Sequence, residues 1–216
     1  MKNILLFLLV LALIGTTVLW VRHGGGAPYP DLSTAPALNS SSLEQVLEYP
    51  EPVGNVAVNR DSRLFFTVHP ESRPTGNKLL EVVRGAAVPF PSGAEQSALF
   101  DTILGIAIDR FNRLWTIDHG NHGTRPARIV AIDLDTNVVI REQYLPPEIP
   151  PLGTYLQDLQ VAADRRTIVI ADVSFWRKPP GIVDYDIETG EARRVLESHA
   201  SVSAENYMIR NGGREM

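Results

Sequence analysis

A carboxylate and two imidazoles fall within five residues at Asp118-His119-Gly120-Asn121-His122. Groups this close can ligate a metal or act as acid and base near neutral pH. The spacing matches no zinc pattern, and a third ligand would have to come from elsewhere. The plainer reading makes Asp118 and Gly120 turn formers and leaves both histidines solvated. Phe175-Trp176-Arg177-Lys178 adds aromatic and cationic groups. These suit a planar ligand or cap a gap between packed sheets. Asp133-x-Asp135-x-Asn137 begins like a calcium loop, but it lacks the glycine and the distal glutamate such a loop needs. It reads as a turn. The chain has no Gly-x-Ser-x-Gly elbow, phosphate-cradling glycine loop or dinucleotide fingerprint. It has no cysteine, which excludes a thiol nucleophile, a thiolate metal site and a disulfide framework.

The elements that must position these residues repeat along the chain. Asn55-Val56-Ala57-Val58-Asn59-Arg60-Asp61-Ser62-Arg63-Leu64-Phe65-Phe66 lies fifty positions before Gly105-Ile106-Ala107-Ile108-Asp109-Arg110-Phe111-Asn112-Arg113-Leu114-Trp115-Thr116. A third copy begins fifty-three positions later, at Asp158-Leu159-Gln160-Val161. Each copy is an apolar strand, a polar turn and a second apolar strand. The second halves repeat as well, with Ile129-Val130-Ala131-Ile132-Asp133 matching Ile182-Val183-Asp184-Tyr185-Asp186. Four short antiparallel strands per 40–50 residues are the signature of a propeller blade. The fold expected is all-β, with about three blades (53–88, 103–144 and 156–197, then a stub) behind an N-terminal hydrophobic helix.

In such a blade the A–B and C–D turns share one rim, and the B–C loops and blade connections share the other. The A–B and C–D turns are short. The B–C loops (His69–Asn77, His119–Pro126, Val173–Pro180) and the connections (Val88–Thr102, Leu145–Tyr155) are long. A site is therefore expected on the B–C rim. The repeat register sets His69, His119 and Asp172 at equivalent positions there. Asp158 opens the innermost strand of blade three, where Asn55 and Gly105 stand in the other blades. It is a candidate general base or channel ligand, or else a blade-locking acceptor. The ligand-binding candidates are His69, Asp118, His119, Asn121, Asp158, Asp172, Phe175 and Trp176. The catalytic candidates are Asp158, His119 and Asp172. Asp158 and Asn55 are weak metal candidates.

Several segments resemble the major royal jelly protein/Yellow family. They are Ile103-Leu104-Gly105-Ile106-Ala107-Ile108-Asp109, Arg113-Leu114-Trp115-Thr116-Ile117-Asp118-His119-Gly120, Tyr155-Leu156-Gln157-Asp158-Leu159, Ile170-Ala171-Asp172-Val173-Ser174-Phe175 and Pro89-Phe90-Pro91-Ser92. The resemblance covers about Val53 to Ser201. It implies a six-bladed propeller with a ligand pocket at the mouth of the channel. It also implies binding or isomerisation of a small aromatic or amine compound, and kinship with calcium-dependent lactonases of the gluconolactonase type. Under that kinship a calcium ion would sit in the channel. An interaction scaffold without chemistry is a third reading. The cysteines of insect members are missing. Six blades need roughly 300 residues at this period, so three blades read as an incomplete propeller. A truncated product is expected, or a half-propeller that associates with itself through its open blade edges.

The balance of 25 acidic to 20 basic residues, net −5, makes nucleic acid an unexpected partner. Lys2 precedes an uncharged apolar run from Ile4 to Val21, followed by Arg22-His23-Gly24-Gly25-Gly26. Eighteen such residues approach the thickness of a bilayer, and Gly24 and Gly26 could supply a cleavage site. Residues 1–22 are thus a signal peptide or membrane anchor, residues 23–50 a flexible tether with a helical turn near Ser42–Leu47, and residues 51–216 the partial propeller. The expected location is extracytoplasmic, periplasmic or secreted, with the membrane as a partner if the segment is not cleaved.

Overall fold

The computed structural model describes residues 2–24, 26–32, 34–177, 179–208, 210–211 and 214–215. The chain forms two compact units, Met1–Leu43 with Ala204–Met216, and Glu44–Ser203. In the first unit α1 (Lys2–His23) is apolar on every side, so no face is set aside for packing. Its stretch Lys2–Arg22 has a mean hydropathy of 2.8 and is long enough to cross a membrane. Further on, β1 (Ala27–Pro28) pairs in parallel with Tyr207–Met208. The expected helical turn lies at Ser40–Ser42, earlier than Ser42–Leu47, because the Asn39 side chain accepts the Ser41 N–H and caps it. The chain from Glu44 belongs with the second unit. There Leu47 and Tyr49 pack on Phe66, Val68 and Leu80 of the first blade.

The second unit contains three four-stranded antiparallel sheets, each a simple meander. Blade one is β2 (Val53–Val58), β3 (Leu64–Val68), β4 (Leu79–Val83) and β5 (Ala86–Pro89). Helix α2 (Gly93–Leu99) then leads into blade two. It starts where the Glu95 carboxylate accepts the Ser92 N–H at 3.0 Å, half of a capping box. Blade two is β6 (Ile103–Ile108), β7 (Arg113–Asp118), β8 (Arg128–Asp133) and β9 (Val138–Tyr144). Blade three is β10 (Leu156–Val161), β11 (Thr167–Asp172), β12 (Gly181–Asp186) and β13 (Ala192–Val195). The three-blade expectation holds, and the array is not closed.

The first strands β2, β6 and β10 lie side by side. Each carries one extra residue at the same place, between Val53 and Val56, Ile103 and Ile106, and Leu156 and Asp158. Such bulges bend and twist a strand, so the inner strands curve alike. Gly105 sits in its bulge because a Cβ there would lie 2.7 Å from the Asp158 Cα. In blade two β6, β7 and β8 are buried on both faces, whereas β11 and β12 alternate buried with half-buried residues. The cores follow from this. Phe65, Leu79 and Phe100 meet Leu114, Val130 and Ile132 between blades one and two. Trp115, Ile117 and Ile129 meet Leu159, Ile170 and Tyr185 between blades two and three.

Short turns at the opposite rim are fixed by single carboxylates or amides. The Oδ1 atoms of Asn59, Asp109 and Asp164 each accept two backbone N–H groups, as do those of Asp133 and Asp186. The Asp133–Asn137 run is a turn, as its missing glycine and glutamate predict.

Candidate functional site

The B–C loop of blade two makes an unusual turn. Gly120, Asn121, His122 and Gly123 all have positive φ, at 66°, 46°, 59° and 74°. Left-handed turns of consecutive L-residues are disfavoured by roughly 1–2 kcal/mol per residue. Glycine, asparagine and histidine are the types that tolerate it best. A Cβ on Gly120 would lie 2.3 Å from the Arg125 carbonyl oxygen, and one on Gly123 would lie 2.5 Å from that of Pro151. The turn is held by the His122 N–H donating to His119 Nδ1 at 3.2 Å and by the Gly153 N–H donating to the His122 carbonyl at 2.8 Å. Such strain collects at functional sites.

The turn drives both histidines into an aromatic cluster between blades two and three. The His119 ring lies 5.0 Å from His122 and 4.9 Å from Tyr155, and His122 lies 4.2 Å from Phe175 and 5.4 Å from Trp176. His119, His122 and Tyr155 are buried, at 1%, 9% and 6% exposure, while Phe175 and Trp176 remain 53% and 43% exposed. From blade one, Glu71 in the turn Pro70–Ser72 brings its carboxylate to 2.9 Å from His122 Nε2.

Three polar atoms of this cluster have no hydrogen-bond partner: His119 Nε2, His122 Nδ1 and Tyr155 Oη. Buried polar atoms are ordinarily paired, and each one left unmet costs about 1–3 kcal/mol. Burial lowers the His119 imidazole to a pKa of about 4 against the opposing charge of Asp118, so the ring is neutral at pH 7. Burial, with a smaller contribution from the Glu71 charge, pushes the Tyr155 phenol up to about 12. The site thus offers the His119 Nε2–H and the Tyr155 hydroxyl as donors beside the unmet His122 Nδ1, walled by aromatic faces with one carboxylate at the edge.

The structure brings His119, Phe175 and Trp176 together and adds His122, Tyr155 and Glu71. His69 is half-buried, with its Nδ1 accepting the Glu71 N–H at 3.3 Å. Asn121 is exposed and donates to Thr124 Oγ1. Asp118 and Asp172 are occupied elsewhere. Asp118 accepts from Asp101 N, Thr102 N and Thr102 Oγ1 at 2.6–3.0 Å. Asp172 accepts from Thr154 Oγ1, Tyr155 N and Ser174 N at 2.6–2.9 Å and from Arg194 at 2.8 Å. Each fixes the chain entering its own blade. The expected equivalence of His69, His119 and Asp172 is corrected here. Asp118 pairs with Ile103 as Asp172 pairs with Leu156, so Asp172 corresponds to Asp118, and His119 to Val173. The reason is one additional residue in the A–B turn of blade three, which runs from Ala162 to Thr167 where blade two runs from Asp109 to Arg113. Lys178 lies outside the described residues.

At the inner strands the Asn55 amide donates to Asp158 Oδ1 at 3.1 Å, linking blades one and three. Both residues are half-buried, and Asp158 also accepts the Leu159 N–H. Among the described residues no group of three or more His, Cys, Asp or Glu could hold a metal ion.

Three meander sheets stacked about their first strands, with the long loops gathered at one rim, define the blades of a β-propeller. A family model described as Major royal jelly protein matches residues 102–214, more than half of the chain, and the chain belongs to that family. No curated protein matches it in sequence. Among solved structures it is similar to the hydrazine synthase of Kuenenia stuttgartiensis, at 18% identity over 65% of this chain with a TM-score of 0.46. It is also similar to a structure of the Dos1 propeller, at 13% identity over 73% of this chain with a TM-score of 0.47. The matches take in 36% and 37% of those chains, so this chain spans little more than a third of either.

Proposed function

We propose that this propeller binds a small planar amine on the B–C rim where blades two and three meet, outside the cytoplasm, delivered or anchored there by α1. The observation that carries the reading is the set of unpaired buried atoms His119 Nε2, His122 Nδ1 and Tyr155 Oη inside one aromatic cluster. A ligand bearing N–H and O–H groups would meet them. The open faces of Phe175 and Trp176 would stack on its ring, and the Glu71 carboxylate would attract its charge. Neutral His119, whose Nδ1 accepts the His122 N–H, carries its proton on Nε2 and would donate it to a ligand oxygen. The test is calorimetric titration of the full chain in non-ionic detergent with tyramine, with benzoate as the anionic control. Tyramine should bind without added metal, and Phe175→Ala and Glu71→Gln should each weaken it by about 3–30-fold. Absence of tyramine binding would overturn the reading, and calcium-dependent hydrolysis of a lactone would replace it with the hydrolase alternative.

A further inference from the structure

The opposite rim of the same two blades carries a second feature. Between their A–B turns lies a cleft of about 330 Å³, lined by Ile108, Arg110, Phe111, Val161, Ala162 and Arg165 among others. The guanidinium carbons of Arg110, Arg113 and Arg165 stand 5.5, 5.1 and 5.6 Å from the centre of the Phe111 ring. Arg113 is neutralised by Asp109, which accepts its Nε at 2.7 Å. Among the described residues, no carboxylate pairs with Arg110 or Arg165. Two like charges are gathered on one half-exposed ring, and neither has an ion-pair partner among the described residues.

The equivalent cleft between blades one and two is shut. There Asn59 Nδ2 donates to Asn112 Oδ1 at 2.9 Å, Asn112 Nδ2 to Asp135 Oδ1 at 2.6 Å, and Arg60 to Asp135 at 3.1 Å. The matching residues are Asp109, Arg165, Glu188 and Arg110. Asn112 and Arg165 each hold the left-handed position of their turn, at φ 61° and 65°. Asp135 and Glu188 each donate their N–H to the turn aspartate. In the second seam Asp109 turns inward to accept from Trp115 Nε1, and Glu188 lies 3.5 Å from Arg166. Arg110 therefore lacks the carboxylate that Arg60 has, and a cation replaces neutral Asn112.

We propose that this cleft binds the phosphate group of a small phosphomonoester, with the two free guanidiniums clasping the dianion and the apolar part of the ligand lying against Phe111. Guanidinium forks match phosphate oxygens in geometry and charge, and the volume suits a small ligand. The phosphate could belong to a soluble ester or to the headgroup of an anionic lipid. The site is independent of the amine reading at the other rim.

The full chain in non-ionic detergent is titrated calorimetrically with phenyl phosphate, phenol and dihexanoyl phosphatidic acid. At least one phosphate compound should bind, more weakly as salt is raised, while phenol does not. Tighter binding of phenyl phosphate assigns the site to soluble esters, and tighter binding of phosphatidic acid to lipid. Arg110→Gln and Arg165→Gln should each weaken binding about tenfold or more, and Arg60→Gln, in the other seam, should leave it unchanged. Binding by neither phosphate compound, or binding equally strong in the Arg110→Gln/Arg165→Gln double variant, would overturn the proposal. Circular dichroism of that variant, whose two changes are on the surface, confirms that it is folded.

Discussion

The seam between blades one and two and the seam between blades two and three are built from the same repeat and differ in where they are fastened. In the first, polar ties run along the A–B rim through Asn59, Asn112, Asp135 and Arg60, and Arg63 adds a bond to the Leu134 carbonyl. In the second, that rim is open and cationic. The ties move outward, with Arg141 donating to Tyr185 Oη and Gln143 to the Gly190 carbonyl. They also move to the B–C rim, where Asp172, Arg194 and the histidine–tyrosine cluster gather. A repeat supplies the same scaffold at each seam. The residues that depart from it, Arg165 for Asn112 or Tyr155 beside His119, mark where one seam differs in chemistry from the other.

The largest effect should come from the carboxylates that begin each seam at the B–C rim. Asp172→Ala removes the acceptor for three hydrogen bonds and breaks the 2.8 Å pair with Arg194, only 11% exposed, which then keeps Glu197 and the Ile149 carbonyl alone. Breaking a buried pair in this way costs about 3–5 kcal/mol. Asp118→Ala is expected to cost less, about 1–3 kcal/mol. Arg128 Nη2 lies 3.8 Å from Asp118, beyond hydrogen-bonding distance, whereas Arg194 bonds Asp172 directly at 2.8 Å. Urea unfolding with an unchanged m-value measures both. Equal losses would break the distinction between the seams.

His119 gives a pH dependence to the second seam. Its pKa is lowered from 6.5 to about 4 in the folded chain by burial. Between those values the unfolded chain binds a proton that the folded chain does not, so stability must fall as pH falls. The contribution is whole above pH 6.5 and gone below pH 4, about 3 kcal/mol in all. The difference in unfolding free energy between wild type and His119→Gln, measured by urea titration from pH 7.5 to 4, should shrink by that amount. A difference constant across this range would mean that the imidazole is not desolvated.

Much of the scaffold was legible in sequence because its signals are local. Short apolar runs mark strands such as Gly105–Ile108, and single Asp or Asn residues mark the turns between them. The same counting misplaced Asp172 by one position, since one extra residue in the turn after Ala162 shifts β11, and a B–C loop one residue shorter restores the repeat spacing at β12. Ser92-x-x-Glu95 is a readable start for α2 that the strand pattern obscured. The site was half legible. Phe175, Trp176 and His119 stand out by type and loop, and Gly-Asn-His-Gly carries its own hint, since all three types accept positive φ. Tyr155 and Glu71 could not be read. Their meeting with His122 depends on three loops from three blades converging, which no local spacing encodes.

The smallest effect tests whether the polar zipper of the first seam is a fastening or an ornament. Arg60 and Asp135 are 62% and 53% exposed, so their ion pair is worth about 0–1 kcal/mol. Arg60→Ala should therefore destabilise the chain by less than 1 kcal/mol, and the loss should fade toward 1 M salt, where exposed charges are screened. Asn112→Ala in the same network should cost more, about 1–3 kcal/mol, because Asn112 is 2% exposed and its loss leaves the buried Asn59 amide only a long 3.4 Å bond to Asp61. If both substitutions cost the same, the seam is held by its apolar core alone. The contrast between a zipped and an open rim would then reflect ligand access and not stability.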